Sequence, residues 1–218
     1  MSDDEPVDWG RLYRENVAAV AALATDLTDE QLHTHLPATP AWNVHDVLAH
    51  LAGGADDAVT GRMDDAPGPE WTARHVGERA GLPVDRLLEE LDATTDAVVA
   101  STVDNPRPAL VWNIAVHHAD LHEALGLGRL ADRLWAPVLD AVGPWRLGDL
   151  PASVRCGDRT WGRGGPVVEV DPYELFRSVF SRRSRAQMQA WGSPVLDADQ
   201  LDSLCVFGPR EDDQPVPA

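Results

Sequence analysis

Apolar residues recur every three or four positions through the first two thirds of the chain, a spacing that is typical of amphipathic helices. This spacing predicts a first helix over residues 7–27, a second that begins at Asn43 and a third that begins near Pro83. A fourth helix is predicted to end at Leu125, and a shorter fifth helix follows over residues 130–142. Together these segments predict an N-terminal helical bundle.

The pattern changes after residues 143–144 (Gly-Pro). Short alternating runs over residues 152–170 predict two strands joined by a glycine-rich turn at residues 162–165. A helix over residues 172–191 and a last strand over residues 204–207 complete a β-β-α-β unit. The predicted fold class is therefore α+β, with a helical bundle followed by a small mixed unit.

These elements divide the chain into a helical domain at residues 1–147, a small α+β domain at residues 151–208 and a disordered acidic tail at residues 209–218. Residues 61–70 are predicted to form a loop. Three histidines are also expected in loops, namely His33, His35 and His75.

Charge and composition narrow the classes of function. The 218 residues carry 36 acidic and 18 basic side chains, for a net charge of -18, which disfavours binding to nucleic acids and anionic membranes. Every basic residue is arginine, so lysine Schiff-base chemistry is excluded. The acidic N-terminus does not resemble a signal peptide, and we expect a cytoplasmic protein, monomeric or homodimeric, that acts on a small molecule. Cys156 and Cys205 are expected to be reduced thiols in the core.

Candidate chemistry is concentrated in two of the predicted helices. Residues 42–51 (WNVHDVLAHL) and residues 113–126 (NIAVHHADLHEALG) contain five of the eight histidines. Two helices that project imidazole and acid groups inward are typical of a metal site in a bundle core. His50, His117 and one acid of the fourth helix would supply three ligands.

Helical spacing leaves the inward face of the fourth helix open. Asn113, His117 and Asp120 share one face, because they lie four and three positions apart. His118 and His122 share a neighbouring face and would build a shifted site. The apolar residues of this segment do not decide between the two faces.

Three segments carry a resemblance to a known family. Residues 40–51 (PAWNVHDVLAHL) resemble the second-helix motif of DinB-like four-helix bundles and, more closely, that of the mycothiol-dependent maleylpyruvate isomerase family. Residues 111–120 (VWNIAVHHAD) resemble the family's fourth-helix motif, acid-x-x-x-His-x-x-Asp, and residues 174–187 (ELFRSVFSRRSRAQ) resemble its second domain. The resemblance implies a DinB-like four-helix bundle with a small C-terminal domain.

The resemblance also implies a divalent metal, typically zinc, held by His50, Asn113 and His117. Asn113 stands where the family has an acid. An amide oxygen is neutral and a weaker zinc ligand than a carboxylate. Asp120, one turn after His117, would then serve as a substitute ligand or orient the imidazole.

The implied activity is isomerisation or thiol S-transfer on a small electrophile that bears a carboxylate, with mycothiol as the thiol cosubstrate. An arginine of the C-terminal domain is implied to grip the carboxylate, and Arg182, Arg183 and Arg185 are the candidates. Two other functions remain open. One is a metal-free isomerase or cyclase that uses His117 and Asp120 as its acid/base pair. The other is a non-catalytic protein that binds small molecules.

Overall fold

The structure, a computed structural model, describes residues 7–217 of the chain. Residues 1–6 and 218, which belong to the predicted first domain and tail, lie outside the described residues. Two compact units divide between Gly128 and Arg129, and each is described by itself.

The first unit is a helical bundle. Its helices are α1 (Trp9–Thr25), α2 (Asp29–Leu32), α3 (Val44–Thr60), α4 (Pro69–Arg79), α5 (Val84–Ser101) and α6 (Ala109–Ala124). The long helices pack around one core in the cyclic order α1, α5, α3, α6, and α4 lies against α3. Their buried apolar residues include Leu12, Val17, Val20, Val47, Leu48, Leu51, Leu87, Leu91, Val98, Val111, Ile114 and Leu121. The predicted four-helix bundle is confirmed.

Local capping explains why α3 begins where it does. The side chain of Asn43 accepts a hydrogen bond from the backbone N–H of Asp46, and the Asp46 carboxylate accepts one from the backbone N–H of Asn43. This reciprocal pair satisfies two backbone donors at the start of the helix. The predicted start of this helix at Asn43 is confirmed, with Asn43 as its N-cap, and α3 carries His50 two turns further on.

Helix α4 is the main element that the sequence analysis missed. It begins at Pro69, inside the segment predicted as a loop, and His75 lies on it rather than in a loop. Only Trp71, His75 and Arg79 of this helix are buried, and they are spaced four residues apart. Because two of these three side chains are polar, the helix has no apolar stripe for the hydrophobic pattern to reveal.

The second unit contains a 3₁₀ turn (Asp132–Leu134), helix α7 (Ala136–Leu147), three strands and three further helices. The strands are β1 (Ser153–Cys156), β2 (Arg159–Trp161) and β3 (Val167–Glu169), and the helices are α8 (Pro172–Val179), α9 (Arg185–Gly192) and α10 (Ala198–Leu204). The sheet order is β2-β1-β3, with β1 antiparallel to β2 and parallel to β3. The α+β class is confirmed.

Helix α7 belongs to the second unit, so the two units divide earlier in the chain than the predicted boundary at residue 147. This helix packs against α8, α10 and β2, all within the second unit. It continues through Pro144 instead of ending there. A Cβ atom at Gly143 would lie 2.5 Å from the Trp161 ring, so the glycine allows the indole to pack directly on the helix.

The β-β-α-β order predicted for the C-terminal unit is corrected to β-β-β-α-α-α. The glycine-rich turn at residues 162–165 connects β2 to β3, while β1 and β2 are joined by the turn at residues 157–158. The predicted helix over residues 172–191 is interrupted before Ser184, which caps the start of α9. Residues 204–207 form the end of α10 and a turn instead of a strand. A capping box at Asp197 and Gln200 begins this helix, which extends to Leu204.

The C-terminal segment also differs from its prediction as a disordered tail. The Gln187 side chain on α9 donates to the Gln214 carbonyl at 2.7 Å and accepts from the Gln214 backbone N–H at 3.0 Å. The Ser184 hydroxyl donates to the Asp213 carboxylate. Residues 209–217 are therefore held to α9 by polar contacts that composition does not reveal.

No helix within residues 7–217 is long and apolar enough to cross a membrane.

Candidate functional site

The two predicted histidine helices meet in the first unit. His50 on α3 and His117 on α6 are both buried, and their ring centroids lie 5.0 Å apart in an edge-to-face arrangement. Nε2 of His50 lies 3.3 Å from Oδ1 of Asn113, one turn before His117 on α6. The structure therefore brings His50, Asn113 and His117 together, while their role as metal ligands stays a prediction.

Asp120 lies on the same face of α6. Its Oδ2 lies 3.0 Å from Nδ1 of His117, and its side chain is fully buried. A carboxylate beside Nδ1 favours the imidazole tautomer with its proton on that nitrogen. In this tautomer the lone pair of His117 is on Nε2, so the position of Asp120 suits the orienting role.

A third histidine extends the site away from α6. Nδ1 of His50 lies 3.1 Å from Nδ1 of His75 on α4, and Nε2 of His75 lies 2.9 Å from Oδ2 of Asp57 on α3. We call the series Asp57, His75, His50 and Asn113 the histidine chain. His75 and Asp57 are both almost completely buried.

Electrostatics assign charges to the far end of the histidine chain. Burial lowers the pKa of His75 below its usual value and outweighs the opposing effect of Asp57, so the ring is neutral at neutral pH. Burial alone would raise the pKa of Asp57, but hydrogen bonds from His75 and Arg74 outweigh it and the pKa is lowered. Arg62 also lies 3.4 Å from the Asp57 carboxylate. Asp57 is therefore a stable buried anion.

Glycine makes the contact between α3 and α4 possible. A Cβ atom at Gly53 would lie 2.8 Å from both Cβ and Cγ of His75. Contacts shorter than 3.0 Å essentially never occur at real Cβ atoms, so only glycine lets α4 approach this closely. The close approach brings the His75 ring to His50.

Tryptophan rings enclose the histidines. The Trp42 ring centroid lies 4.9 Å from that of His50 and 5.9 Å from that of His117. Trp71 packs edge-on against His75 at 4.2 Å. Trp42 and Asn113 are half-buried, whereas His50 and His117 are buried. Solvent therefore reaches the site on the side of Trp42 and Asn113.

The alternative face of α6 is used differently. Nδ1 of His118 lies 3.0 Å from Oδ1 of Asn16 on α1, and the His118 and His122 rings contact each other edge-on at 5.1 Å. Burial lowers the pKa of His122. His118 therefore contacts α1, whereas the contacts with α3 are made by Asn113 and His117 on the other face.

The contact between His50 and Asn113 has a length that suits two ligands of one divalent metal, with neutral donors. A tetrahedral zinc ion with nitrogen and oxygen ligands at about 2.0–2.2 Å separates its ligand atoms by about 3.3–3.6 Å. The 3.3 Å between Nε2 of His50 and Oδ1 of Asn113 falls in this range. Within residues 7–217, however, no three His, Cys, Asp or Glu side chains form a metal-binding group. The set therefore relies on the amide of Asn113 and would hold a metal weakly.

The predicted arginines lie in the second unit, in the segment of residues 182–185 that we call the arginine segment. Arg183 is fully buried, and its guanidinium group donates to the Glu174 carboxylate at 2.6 and 2.9 Å. Nη1 of Arg182 donates to the Phe180 carbonyl at 2.8 Å. Arg185 pairs with Asp202 at 2.8 Å. Each arginine thus has a partner in its own unit, and a role in gripping substrate stays a prediction.

The cysteines match their expected structural role. Cys156 and Cys205 are buried free thiols. Burial raises the pKa of each thiol to about 11. Both therefore stay protonated at neutral pH and are poor nucleophiles.

Sequence reasoning missed His75 and Asp57 as parts of the site. Two signals in the sequence point to them. One is the spacing of Trp71, His75 and Arg79 at every fourth residue, which places them on one helical face. The other is the pair of glycines at residues 53–54 in α3, which have no side chain and so allow a neighbouring element to approach the helix closely.

Comparison with known proteins identifies a family. Residues 13–141, more than half of the chain, match the family described as the mycothiol maleylpyruvate isomerase N-terminal domain. The matched range includes every residue of the histidine chain, His117 and Asp120. No curated protein matches the chain, and no solved structure does so either. The extent of the family match shows that the chain belongs to the mycothiol maleylpyruvate isomerase N-terminal domain family.

Proposed function

We propose that the protein catalyses an isomerisation or thiol transfer on a small electrophile that bears a carboxylate, with mycothiol as the thiol. In this proposal a divalent metal, zinc in the first instance, is held by His50, Asn113 and His117. The observation that carries it is the convergence of two imidazoles whose Nδ1 atoms both lie beside a further polar group, at 3.1 Å from His75 and at 3.0 Å from Asp120. Metal-binding histidines typically use their second ring nitrogen in this way.

The metal, when bound, would lower the pKa of the mycothiol thiol and favour its thiolate form. The protein's own thiols do not suit this task, because burial holds the pKa of Cys156 and Cys205 at about 11. An external thiol is therefore required. This accounts for the cosubstrate that the family description names.

The chain's residues orient the reactants and limit the access of water. Asp120, whose Oδ2 lies 3.0 Å from Nδ1 of His117, would favour a proton on that nitrogen, and the Trp42 ring lies against both histidines. In the isomerisation, the thiolate sulfur adds to the activated double bond, the adduct turns about the resulting single bond, and the same thiolate leaves. The thiol is recovered, and no external oxidant or reductant is consumed. In the proposal Arg182 or Arg183 binds the substrate carboxylate through its guanidinium group, and the protein acts in the cytoplasm.

Metal binding and turnover together test this function. The protein, dialysed to equilibrium against a buffer that contains zinc, is expected to bind close to one equivalent, and His117→Ala is expected to lose both the zinc and the mycothiol-dependent isomerisation of maleylpyruvate. His33→Ala is the matched control, since His33 is exposed at the end of α2. Zinc content far below one equivalent in the wild-type protein contradicts the metal-dependent mechanism.

A second candidate function is favoured by the amide at position 113 and by the absence of a third acid or imidazole ligand within residues 7–217. In this case His117 and Asp120 act as an acid/base pair without a metal. Turnover that persists after exhaustive chelation, and that disappears in Asp120→Asn, would support this second function over the first.

A further inference from the structure

We propose that Asp57 and His75 are a positioning pair that keeps the proton of His50 on Nδ1 and so directs the Nε2 lone pair toward Asn113. The inference deepens the proposed function and rests on it only for the metal-binding part. The placement of the proton is a property of the protein alone.

The position of each proton follows from the contacts of the histidine chain. Asp57 is an acceptor only, so the 2.9 Å contact with Nε2 of His75 requires a proton on that nitrogen. Arg62 and Arg74 already balance the charge of Asp57, so a second proton on the buried His75 ring would be an uncompensated positive charge, and Nδ1 of His75 carries a lone pair. The 3.1 Å contact between the two Nδ1 atoms requires one donor, and that donor is His50. In a neutral His50 ring, Nε2 therefore carries the lone pair.

This assignment determines which atoms face each other in the contact between His50 and Asn113. Nε2 of His50 and Oδ1 of Asn113 are then two lone-pair atoms 3.3 Å apart. Such a pair is stabilised by a cation shared between them, or by a rotation of the amide that turns its N–H toward the ring. Both arrangements need the Nε2 lone pair, and the positioning pair supplies it.

Burial and charge show that the pair is held firmly. The Asp57 side chain is 1% exposed, and it contacts Arg62 and Arg74 in addition to His75. Burying a carboxylate and an imidazole costs free energy unless both are paired. An apolar contact between α3 and α4 would avoid this cost, so the polar pair is better explained by its connection to His50 than by packing alone.

The test uses the whole protein without metal and observes the ring nitrogens of His50 by two-dimensional 15N NMR. In the wild-type protein we expect a protonated Nδ1 and an unprotonated Nε2. In His75→Leu, which has no acceptor, we expect protonation to shift toward Nε2. In His75→Gln, the amide oxygen accepts from His50 and the amide N–H reaches Asp57, so we expect the wild-type tautomer to return.

Zinc affinity, measured by competition with a chelator, gives the second readout. We expect the dissociation constant to rise about 10- to 100-fold in His75→Leu, as is typical when the hydrogen-bond partner of a metal ligand is removed. Asp57→Asn, which keeps the shape of the side chain, is expected to weaken binding less and serves if His75→Leu does not fold. His118→Leu is the matched control, because His118 is also buried but contacts Asn16 on α1.

The outcomes separate this inference from the proposed function. A His50 proton on Nε2 in the wild-type protein overturns the positioning pair, whether or not zinc binds. A wild-type protein that binds no zinc, but whose His50 tautomer changes in His75→Leu, supports the pair and contradicts the metal. Equal loss of zinc affinity in His75→Leu and His118→Leu, with an unchanged His50 tautomer, also overturns the pair.

Discussion

The histidine chain of the first unit and the arginine segment of the second unit both bury ionisable side chains, but they use them differently. In the histidine chain, Asp57 contacts His75 and His75 contacts His50. Nε2 of His50 then lies beside the half-buried Asn113. In the arginine segment, the guanidinium groups are held by acceptors of the same unit, such as Glu174 for Arg183. Buried ionisable groups therefore point to a candidate site only where their contacts lead to a group that a ligand can reach.

This difference bears on the predicted carboxylate clamp. A substrate carboxylate that approaches Arg183 has to compete with Glu174, whose two oxygens already bind the guanidinium group at 2.6 and 2.9 Å. Arg182 instead donates to the neutral Phe180 carbonyl and lies over the Phe207 ring at 6.0 Å. Both arginines therefore have contacts within their own unit with which a substrate carboxylate would have to compete.

The largest expected effect tests whether the arginine segment is structural. Glu174→Ala removes the carboxylate that pairs with Arg183, whose side chain is 1% exposed. Because an uncompensated buried charge remains, we expect a loss of about 3–5 kcal/mol in the free energy of unfolding, measured with urea. Glu169→Ala, which removes an exposed pair with Arg155, is expected to cost less than about 1 kcal/mol. Equal losses of stability in the two variants would contradict a structural role for the pair of Arg183 and Glu174.

A smaller effect tests how closely α4 must approach the histidine chain. Gly53→Ala places a Cβ atom 2.8 Å from His75, and we expect a loss of about 1–3 kcal/mol from overpacking. Zinc affinity should fall as well, because His75 is displaced from His50. Gly77→Ala on α4 is the control, since nothing lies within 4 Å of its added methyl group. It is expected to stabilise the protein by about 0.8–1 kcal/mol through helix propensity. Similar urea curves for both variants would show that the close approach is unimportant.

The smallest expected effect is the pH dependence of the stability that Asp171 contributes to the second unit. Asp171 caps α8 in the second unit by accepting from the backbone N–H groups of Tyr173 and Glu174. Burial would raise its pKa, but these hydrogen bonds and Arg129 outweigh it, and the net pKa is lowered. Its stabilisation is therefore present above the unfolded pKa of about 3.9 and is lost as pH falls through the folded value.

We expect Asp171→Ala to cost about 0.5–2 kcal/mol at pH 7, which is usual for an N-cap, and less near pH 3. Urea unfolding at both pH values measures the difference. Asp149→Ala, at an exposed carboxylate, is expected to change stability by less than about 0.5 kcal/mol at either pH. A cost for Asp171→Ala that does not depend on pH would contradict the assignment of the cap to the charged form.

Much of the bundle was predictable because helices depend on residue spacing and on capping residues that are close together in the sequence. The capping pair of Asn43 and Asp46 and the left-handed Gly126 after α6 are both local signals, and both occur in the structure. The convergence of His50 and His117 followed from the same periodicity together with the family resemblance. The second unit was less predictable, because its short strands and capped helices depend on contacts such as Gln187 with Gln214.

The sequence by itself determined the α+β class, the four long helices and the two histidine motifs, since each depends on residue spacing within a few turns. Only the tertiary structure decided that α4 is a helix, that His75 and Asp57 support His50, and that Arg183 binds Glu174. The physical reason is that these features depend on polar side chains buried against partners 9 to 25 residues away. Hydrophobic periodicity contains no information about such partners, whereas the packed helices bring them into contact.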